Sequence, residues 1–162
     1  MRTSTKTRKP PAGERTRASG RPVLLATIGA PFDEAAATFA VDSAVESGSP
    51  LIVANVTQLE PLSLSVRLGY DALEEFTPEV SESVRRPAEL ARSLGLPVER
   101  LRIRSPRPVR ALLELARERR AGLLVFGPDR RALKARAYDR AVRAVREGAD
   151  CLVWVAADPA HP

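Results

Sequence analysis

The fold is decided by residues 122–131, which read Gly-Leu-Leu-Val-Phe-Gly-Pro-Asp-Arg-Arg. An apolar run that ends in a glycine predicts a buried strand followed by a tight turn. An amphipathic stretch comes next, and then a second apolar run, Cys151–Val155. This order of strand, turn, helix and strand is typical of parallel sheets, whose strands require long crossover connections.

The same alternation extends back toward the N-terminus. Apolar runs predict strands at Val23–Ile28 and Leu51–Val56, and an alternating run predicts a half-exposed edge strand at Val98–Arg104. Helical patterns separate these strands. Five strands and four helices in strict alternation predict an α/β fold, a Rossmann-like three-layer sandwich whose five-stranded parallel sheet has the order 3-2-1-4-5.

The first helix is predicted from Glu34 to about Ser47, with Asp33 as its N-cap and Gly48 after its last residue. Phe39 lies outside its apolar face, and we expect it to contact a neighbouring segment or a partner. The helical period predicts the buried face as Ala37, Ala40, Val41, Ala44 and Val45.

The predicted strand order places a switch point between the first and fourth strands. Ligands of open α/β sheets bind beyond the carboxyl ends of the strands at such a point, which here lies over Gly29 and Gly127. Glycines in the following loop would let backbone N–H groups approach a phosphate. This loop carries Arg130 and Arg131 instead, which argues against ordinary nucleotide chemistry.

Composition is that of a soluble globular chain, with 44% hydrophobic and 28% charged residues among 162. No apolar run is long enough to cross a bilayer, so membrane insertion is not expected. A single cysteine, Cys151, predicts neither disulfides nor a cysteine metal site. We therefore expect a cytoplasmic protein.

The charge is concentrated in residues 1–22, which hold seven basic residues and one acid and thereby account for the net charge of +6. We expect a disordered basic tail here. It is either a solvated extension, a transit peptide, or an arm with a weak anionic partner such as nucleic acid or lipid. A folded domain is expected at 23–157 and a short tail at 158–162. The unpatterned connection 57–76 is typical of a binding loop, a lid or a flexible excursion.

These features resemble the universal stress protein family over roughly Val23–Ala156. The first strand and its turn, Leu24–Ala30, are similar to the family's apolar-apolar-Ala-x-Asp-Gly-Ser pattern. Gly122–Gly127 resembles its Asp-Leu-Ile-Val-Met-Gly strand, and the turn at Ser105–Val109 and the last strand are also similar. The resemblance implies an α/β domain that acts in stress response.

Many members of that family bind ATP through a Gly-x-x-Gly-x9-Gly-Ser/Thr loop and an Asp after the first strand. Of these residues the chain keeps only Gly127, because Arg130 replaces the second glycine and Ile28 replaces the Asp. Arg140 lies where the Gly-Ser pair belongs. The resemblance therefore implies the branch without tight ATP binding, so no cofactor is expected and ATP is disfavoured.

A basic anion or nucleotide crevice remains an alternative, and its candidate residues are Gly29, Gly127, Arg130, Arg131 and Arg140. The competing interpretation is a solvated charged face, because Arg136, Arg140 and Arg143 form one helical stripe opposite an apolar one.

Catalysis and metal binding have little support in the sequence. The single histidine, His161, lies in the C-terminal tail, so a nucleophile–histidine pair within the core is not expected. Cys151 begins a buried strand and is predicted to be a small core residue. We expect neither catalytic residues nor a metal site.

The last strand is apolar on both faces. Such a strand at the end of a sheet is either covered by helices or paired across a dimer axis. Because members of the family often dimerise through this strand, the resemblance implies a homodimer interface at Leu152, Val153, Trp154 and Val155. The expected function is a non-enzymatic stress or regulatory module that acts through dimerisation and an unidentified protein partner.

Overall fold

The computed structural model describes residues 20–59 and 78–156, with the side chains of residues 78 and 79 outside that description. Most of the basic tail at 1–22, the C-terminal tail at 158–162 and nearly all of the 57–76 connection lie outside the described residues. The predictions made for those segments therefore stay predictions.

Five strands and four α-helices alternate within the described residues. In chain order they are β1 (Val23–Thr27), α1 (Glu34–Ser47), β2 (Leu51–Gln58), α2 (Pro78–Ser93), β3 (Val98–Ser105), α3 (Pro108–Glu118), β4 (Leu123–Phe126), α4 (Ala135–Gly148) and β5 (Leu152–Val155). A 3-10 turn at Arg130–Ala132, which the sequence does not predict, precedes α4.

The sheet is entirely parallel and has the predicted order β3-β2-β1-β4-β5. Val23 is the register partner of Leu51 in β2 and of Leu123 in β4, so β1 lies at the centre of the sheet. All five residues of β1 are buried, as expected for a strand that helices cover on both faces.

Successive residues of β1 and β2 contribute to two separate cores, one on each face of the sheet. Leu24 and Ala26 pack beneath α3 and α4, and Val23 and Leu25 pack beneath α1 and α2. This alternation follows from the two-residue period of a strand. The fold is therefore the predicted α/β sandwich of three layers.

Helix α1 begins and ends where the sequence predicts. The Asp33 carboxylate accepts a hydrogen bond from the Ala36 N–H at 3.0 Å, and Gly48 follows the last residue in a left-handed conformation. The predicted buried face is shifted by one position, because Ala36 is fully buried whereas Val45 is 44% exposed. The sequence period predicts which side of the helix is apolar, but the crossing of α1 over β1 decides which edge of that side is covered.

Candidate functional site

The two loops at the switch point are bonded directly to each other. The Asp33 N–H donates to the Gly127 carbonyl at 2.8 Å, and the Asp129 N–H donates to the Pro31 carbonyl at 2.7 Å. Between these bonds, Phe32 and Pro128 form an antiparallel bridge. The residues that would border a crevice between the ends of β1 and β4 therefore form a short ladder.

Gly29 stands in the turn after β1 with a φ of +71°, a conformation that side chains disfavour. Its N–H donates to the Oδ1 atom of Asn55, on β2, at 3.0 Å. In the same turn, the Thr27 hydroxyl donates to the Ala30 carbonyl at 2.7 Å. The first bond holds the turn against β2, and the second closes the turn on itself.

Gly127 is required by packing against α1. A Cβ atom at this position would lie 2.7 Å from the Cβ of Ala36 and 3.4 Å from side-chain atoms of Leu25 and Phe32. Carbon atoms at their optimal separation are about 3.5–4.0 Å apart. The glycine that the chain shares with the family's phosphate loop therefore has a structural reason that involves no ligand.

Most backbone N–H groups of the loop after β4 already donate within the protein. Gly127 donates to the Ala26 carbonyl and Asp129 to Pro31. The 3-10 turn satisfies the next ones: Arg131 donates to the Asp129 carboxylate at 3.0 Å, and Ala132 donates to the Asp129 carbonyl. A cradle for phosphate needs several N–H groups free to converge on it, so this loop would have to be rebuilt to form one.

The three predicted arginines do not converge. Arg131 forms an ion pair with Asp129 at 3.3 Å, and its side chain is 91% exposed. The Arg130 guanidinium lies over the Tyr138 ring, 5.4 Å from its centroid, and Arg140 is exposed on α4. Each arginine therefore lies in a different environment, and their joint role at a crevice stays a prediction.

Asp129 places a negative charge in the loop after β4, which the sequence analysis names as the alternative anion crevice. Burial acts to raise the pKa of its carboxyl, but hydrogen bonds from the Arg131 side chain and backbone outweigh burial and lower it. Asp129 is therefore ionised at neutral pH. Together with the nearby Asp33, which caps α1, it opposes a triphosphate at this edge.

Two open cavities flank these loops. Arg131 borders one of about 600 Å³ between α1 and α2. Arg130 borders the other, of about 710 Å³, beside α4 and β5. Among the described residues of the second lining, acids and bases are equally represented: Asp33, Asp139, Glu147, Arg130, Arg143 and Arg146. Its charge does not select an anion.

The N-terminus of α4 is a feature of this region that suits an anion. Lys134 occupies the N-cap position without a side-chain capping bond, and the first turn contains no acid. The first N–H groups of a helix have no partner inside the helix, and the helix dipole favours negative charge there. This end of α4 is the structural basis for the alternative of residual nucleotide binding.

At the far end of the sheet, β5 pairs only with β4 among the described strands. Leu152 is 75% exposed, and Val153, Trp154 and Val155 are half-buried. Trp154 stacks on Phe39 of α1, with ring centroids 4.4 Å apart and an angle of 14° between the rings. The neighbouring segment expected for Phe39 is therefore β5.

The described residues include one cysteine, Cys151, and no histidine. Burial raises the pKa of the half-buried Cys151 thiol, which makes it a poor nucleophile at neutral pH. Within residues 20–59 and 78–156 no cluster of acids, histidine and cysteine could hold a metal ion. His161 lies outside the described residues.

None of the helices described here has both the length and the apolar character needed to cross a bilayer.

Asn55 is the site residue that sequence reasoning missed. It lies within an apolar strand, is only 2% exposed, and anchors the turn at Gly29. The signal was present in the sequence, because a single amide inside the run Leu-Ile-Val-Ala-Asn-Val requires a buried partner.

Comparison with known proteins agrees with this architecture. The model of the Universal stress protein family matches residues 20–157. The chain therefore belongs to the universal stress protein family. No match was found among curated protein sequences.

Several solved structures share the fold. A universal stress protein in complex with cAMP is 23% identical with a TM-score of 0.56, over 84% of this chain and 95% of that chain. The Archaeoglobus fulgidus universal stress protein in complex with dAMP is 17% identical with a TM-score of 0.56, over 84% and 97%. UspA from Lactobacillus plantarum is 17% identical with a TM-score of 0.62, over 85% and 98%. At these identities the likeness establishes the fold alone.

Proposed function

We propose that this universal stress protein is a non-enzymatic regulatory module of the cytoplasm that acts through protein association and does not hold ATP tightly. The observation that carries the proposal is the ladder at the switch point, where Asp33 donates to Gly127 and Asp129 donates to Pro31. A triphosphate seated there would have to break these bonds and approach two carboxylates, those of Asp33 and Asp129. Neither cost is offset by glycines in the loop.

The surface that supports association is β5. An edge strand presents unpaired backbone groups to a partner, and this one also presents the exposed Leu152 beside the half-buried Trp154. A second copy of the chain could pair with the same edge across a two-fold axis, which is the commonest symmetry of homo-oligomers. We therefore assign the homodimer interface to β5.

Light scattering on the full chain, combined with size-exclusion chromatography, tests this assignment. The unaltered chain is expected to elute as a dimer and Leu152→Glu as a monomer. Leu94→Glu is the matched control, because Leu94 is 54% exposed on the far side of the molecule at the end of α2, and it should remain dimeric. A monomeric unaltered chain, or equal dissociation of both variants, would contradict the assignment.

The second candidate is an adenine-nucleotide-binding protein. It is favoured by the uncapped N-terminus of α4 beside Lys134 and by the nucleotides in related structures, which contain cAMP, dAMP and, for an Arabidopsis thaliana member, AMP. In this case Arg130 would contribute positive charge to the phosphates.

Isothermal titration with ATP and Mg²⁺ separates the two candidates. The regulatory module predicts no micromolar binding. Micromolar binding that is lost in Arg130→Ala and kept in Arg110→Ala would favour the nucleotide-binding alternative. Arg110 is a suitable control, because it lies on the surface of α3 in an ion pair with Glu114.

A further inference from the structure

The exposed surface of α1 carries a row of acids. Glu34, Asp42 and Glu46, together with Thr38, are spaced four residues apart along one side of the helix, and all four are exposed. We call these four residues the acidic row. Residues 33–47 contain four acids and no lysine, arginine or histidine. The last turn of α1 holds no base, and the helix dipole adds negative potential at that end. The acidic row therefore attracts positive charge.

A groove between α1 and α2 lies beside the acidic row. Glu34 and Thr38 line its cavity of about 600 Å³ together with Leu90 of α2. Leu90 is 51% exposed, and Val45 of α1 and Leu94, four residues after Leu90, are 44% and 54% exposed. Lysine and arginine side chains pack their apolar stems against such a surface while their charged heads stay in water. The groove and the acidic row together therefore suit an extended basic segment.

Two arginines among the described residues also line this cavity, and both pair with acids of their own segments. Arg86 pairs with Glu82, also on α2, at 3.1 Å, and Arg131 pairs with Asp129, in the loop after β4, at 3.3 Å. Neither pair includes a residue of the acidic row. These arginines therefore already have carboxylate partners outside the row.

The N-terminal segment of the chain enters the described structure beside the end of α1. A Cβ atom on Gly20 would meet the hydroxyl of Ser49 and would lie 3.7 Å from the carbonyl oxygen of Ser47, the last residue of α1. Residues 1–19 hold six basic residues and one acid. The other segments outside the described residues, 60–77 and 157–162, contain a single lysine or arginine, Arg67. Residues 1–19 are therefore the nearest concentration of positive charge along the chain.

Length and charge both direct residues 1–19 toward α1. The 14 residues of α1 span about 21 Å, which about seven residues of extended chain can cover. On the other side of the same entry point, Arg21 lines a cavity with Arg117 and Arg120 at the end of α3, and Asp150 offsets one of these charges. Because like charges repel, a basic segment that starts at Gly20 is directed away from α3.

We propose that residues 1–19 bind in cis to the acidic row and to the groove beside it. Arg15 and Arg17 pair near Glu46, at the C-terminal end of α1, and the bases further upstream extend toward Glu34. Each exposed ion pair is weak, but tethering through a short linker raises the local concentration of the segment to about the millimolar range. An anionic partner of the tail would therefore have to compete with α1 for the same bases.

Paramagnetic relaxation enhancement in NMR spectra of the full chain tests the proposal. A nitroxide label is attached to Ala12→Cys in a Cys151→Ser background, so that the label reacts with a single thiol. We expect stronger broadening of the amide signals of Glu34 and Thr38 than of the amide signals of α3. The broadening should disappear at about 0.5 M salt, because screening shortens the range of the attraction.

A pair of double variants separates the acidic row from general charge effects. Asp42→Asn with Glu46→Gln should lower the ratio of docked to undocked chains roughly two- to thirtyfold, the effect of losing two exposed ion pairs. Glu114→Gln with Glu118→Gln is the matched control, because both acids are exposed on α3 with the same four-residue spacing. The control should leave the broadening on α1 unchanged. All four side chains are exposed, so both double variants are expected to fold.

Three results would overturn the proposal. Equal broadening on α1 and α3 would mean that residues 1–19 have no preferred surface, and equal loss in the two double variants would mean that the acidic row is not the surface they bind. The third uses a mixture of spin-labelled chain with isotopically labelled chain that carries no spin label. Broadening in this mixture as strong as within one chain would mean that a second copy supplies the segment, which excludes docking in cis.

Discussion

The backbone N–H of Asp33 donates to the carbonyl oxygen of Gly127 at 2.8 Å. This bond connects the helix that follows β1 to the turn that follows β4, across the position where a doubly wound sheet binds its ligands. The return bond from Asp129 to Pro31, at 2.7 Å, makes the connection a ladder. The chain keeps the family's fold while its switch-point loops bond to each other.

The environment of Gly127 leads to a first prediction. Gly127→Ala should lower the free energy of unfolding by about 1–3 kcal/mol, the usual cost of overpacking, because its Cβ would lie 2.7 Å from that of Ala36. Urea denaturation followed by circular dichroism measures this loss.

A double-mutant cycle provides the control for Gly127. Ala36→Gly alone should cost about 1 kcal/mol through helix propensity, but it also removes the atom that collides. The double variant should therefore be more stable than the two separate losses predict. Simple additivity would show that the contact is not the cause.

The sequence predicts which strands are central in the sheet and which strand lies at its edge. Continuous apolar runs at Val23–Ile28 and Leu51–Val56 predict central strands, and the alternation of arginines with Leu101 and Ile103 predicts the edge. Residue patterns report burial, and burial on two faces or on one face distinguishes these positions. The strand order follows from that distinction.

The site is less predictable because it depends on contacts between distant segments. No local pattern indicates that Asp33 bonds to Gly127. The amide of Asn55 within an apolar run indicates that it has a buried partner, but not that the partner is Gly29. The loop sequence predicts that a phosphate cradle is missing, and within the loop that prediction depends on Arg130 and Arg131. Where those two side chains point depends on the 3-10 turn, which is too short to leave a periodic pattern.

The stacking of Phe39 on Trp154 leads to a second prediction. A double-mutant cycle with Phe39→Leu and Trp154→Leu should give a coupling free energy of about 0.5–1.5 kcal/mol, the range for paired aromatic rings. Chemical denaturation followed by far-ultraviolet circular dichroism is suitable, because it does not depend on the single tryptophan. A coupling of zero would mean that the rings do not contact each other in solution.

The carboxyl of Asp129 leads to a third prediction, about pH. Its pKa is lower in the folded protein than its ordinary value of 3.8, so the ionised form stabilises the fold above that value. The contribution disappears as the pH falls through the folded pKa. Because Arg131 is exposed, solvent screens the ion pair and we expect this contribution to be small.

Asp129→Asn tests this dependence while keeping an oxygen for the Arg131 N–H. The stability difference between the two proteins should be present at pH 6 and should vanish as the pH falls through the lowered pKa of Asp129. Urea denaturation at a series of pH values measures it. A difference that is independent of pH would exclude the ion pair as its cause.

We propose that the ladder between Asp33, Gly127, Asp129 and Pro31 prevents ATP from binding at the switch point. The most direct measurement follows the amide signals of Asp33 and Asp129 by NMR during titration of the full chain with ATP and Mg²⁺. We predict that both amides keep their chemical shifts and their protection from hydrogen exchange. Saturable shifts at micromolar ATP, together with loss of that protection, would contradict the account.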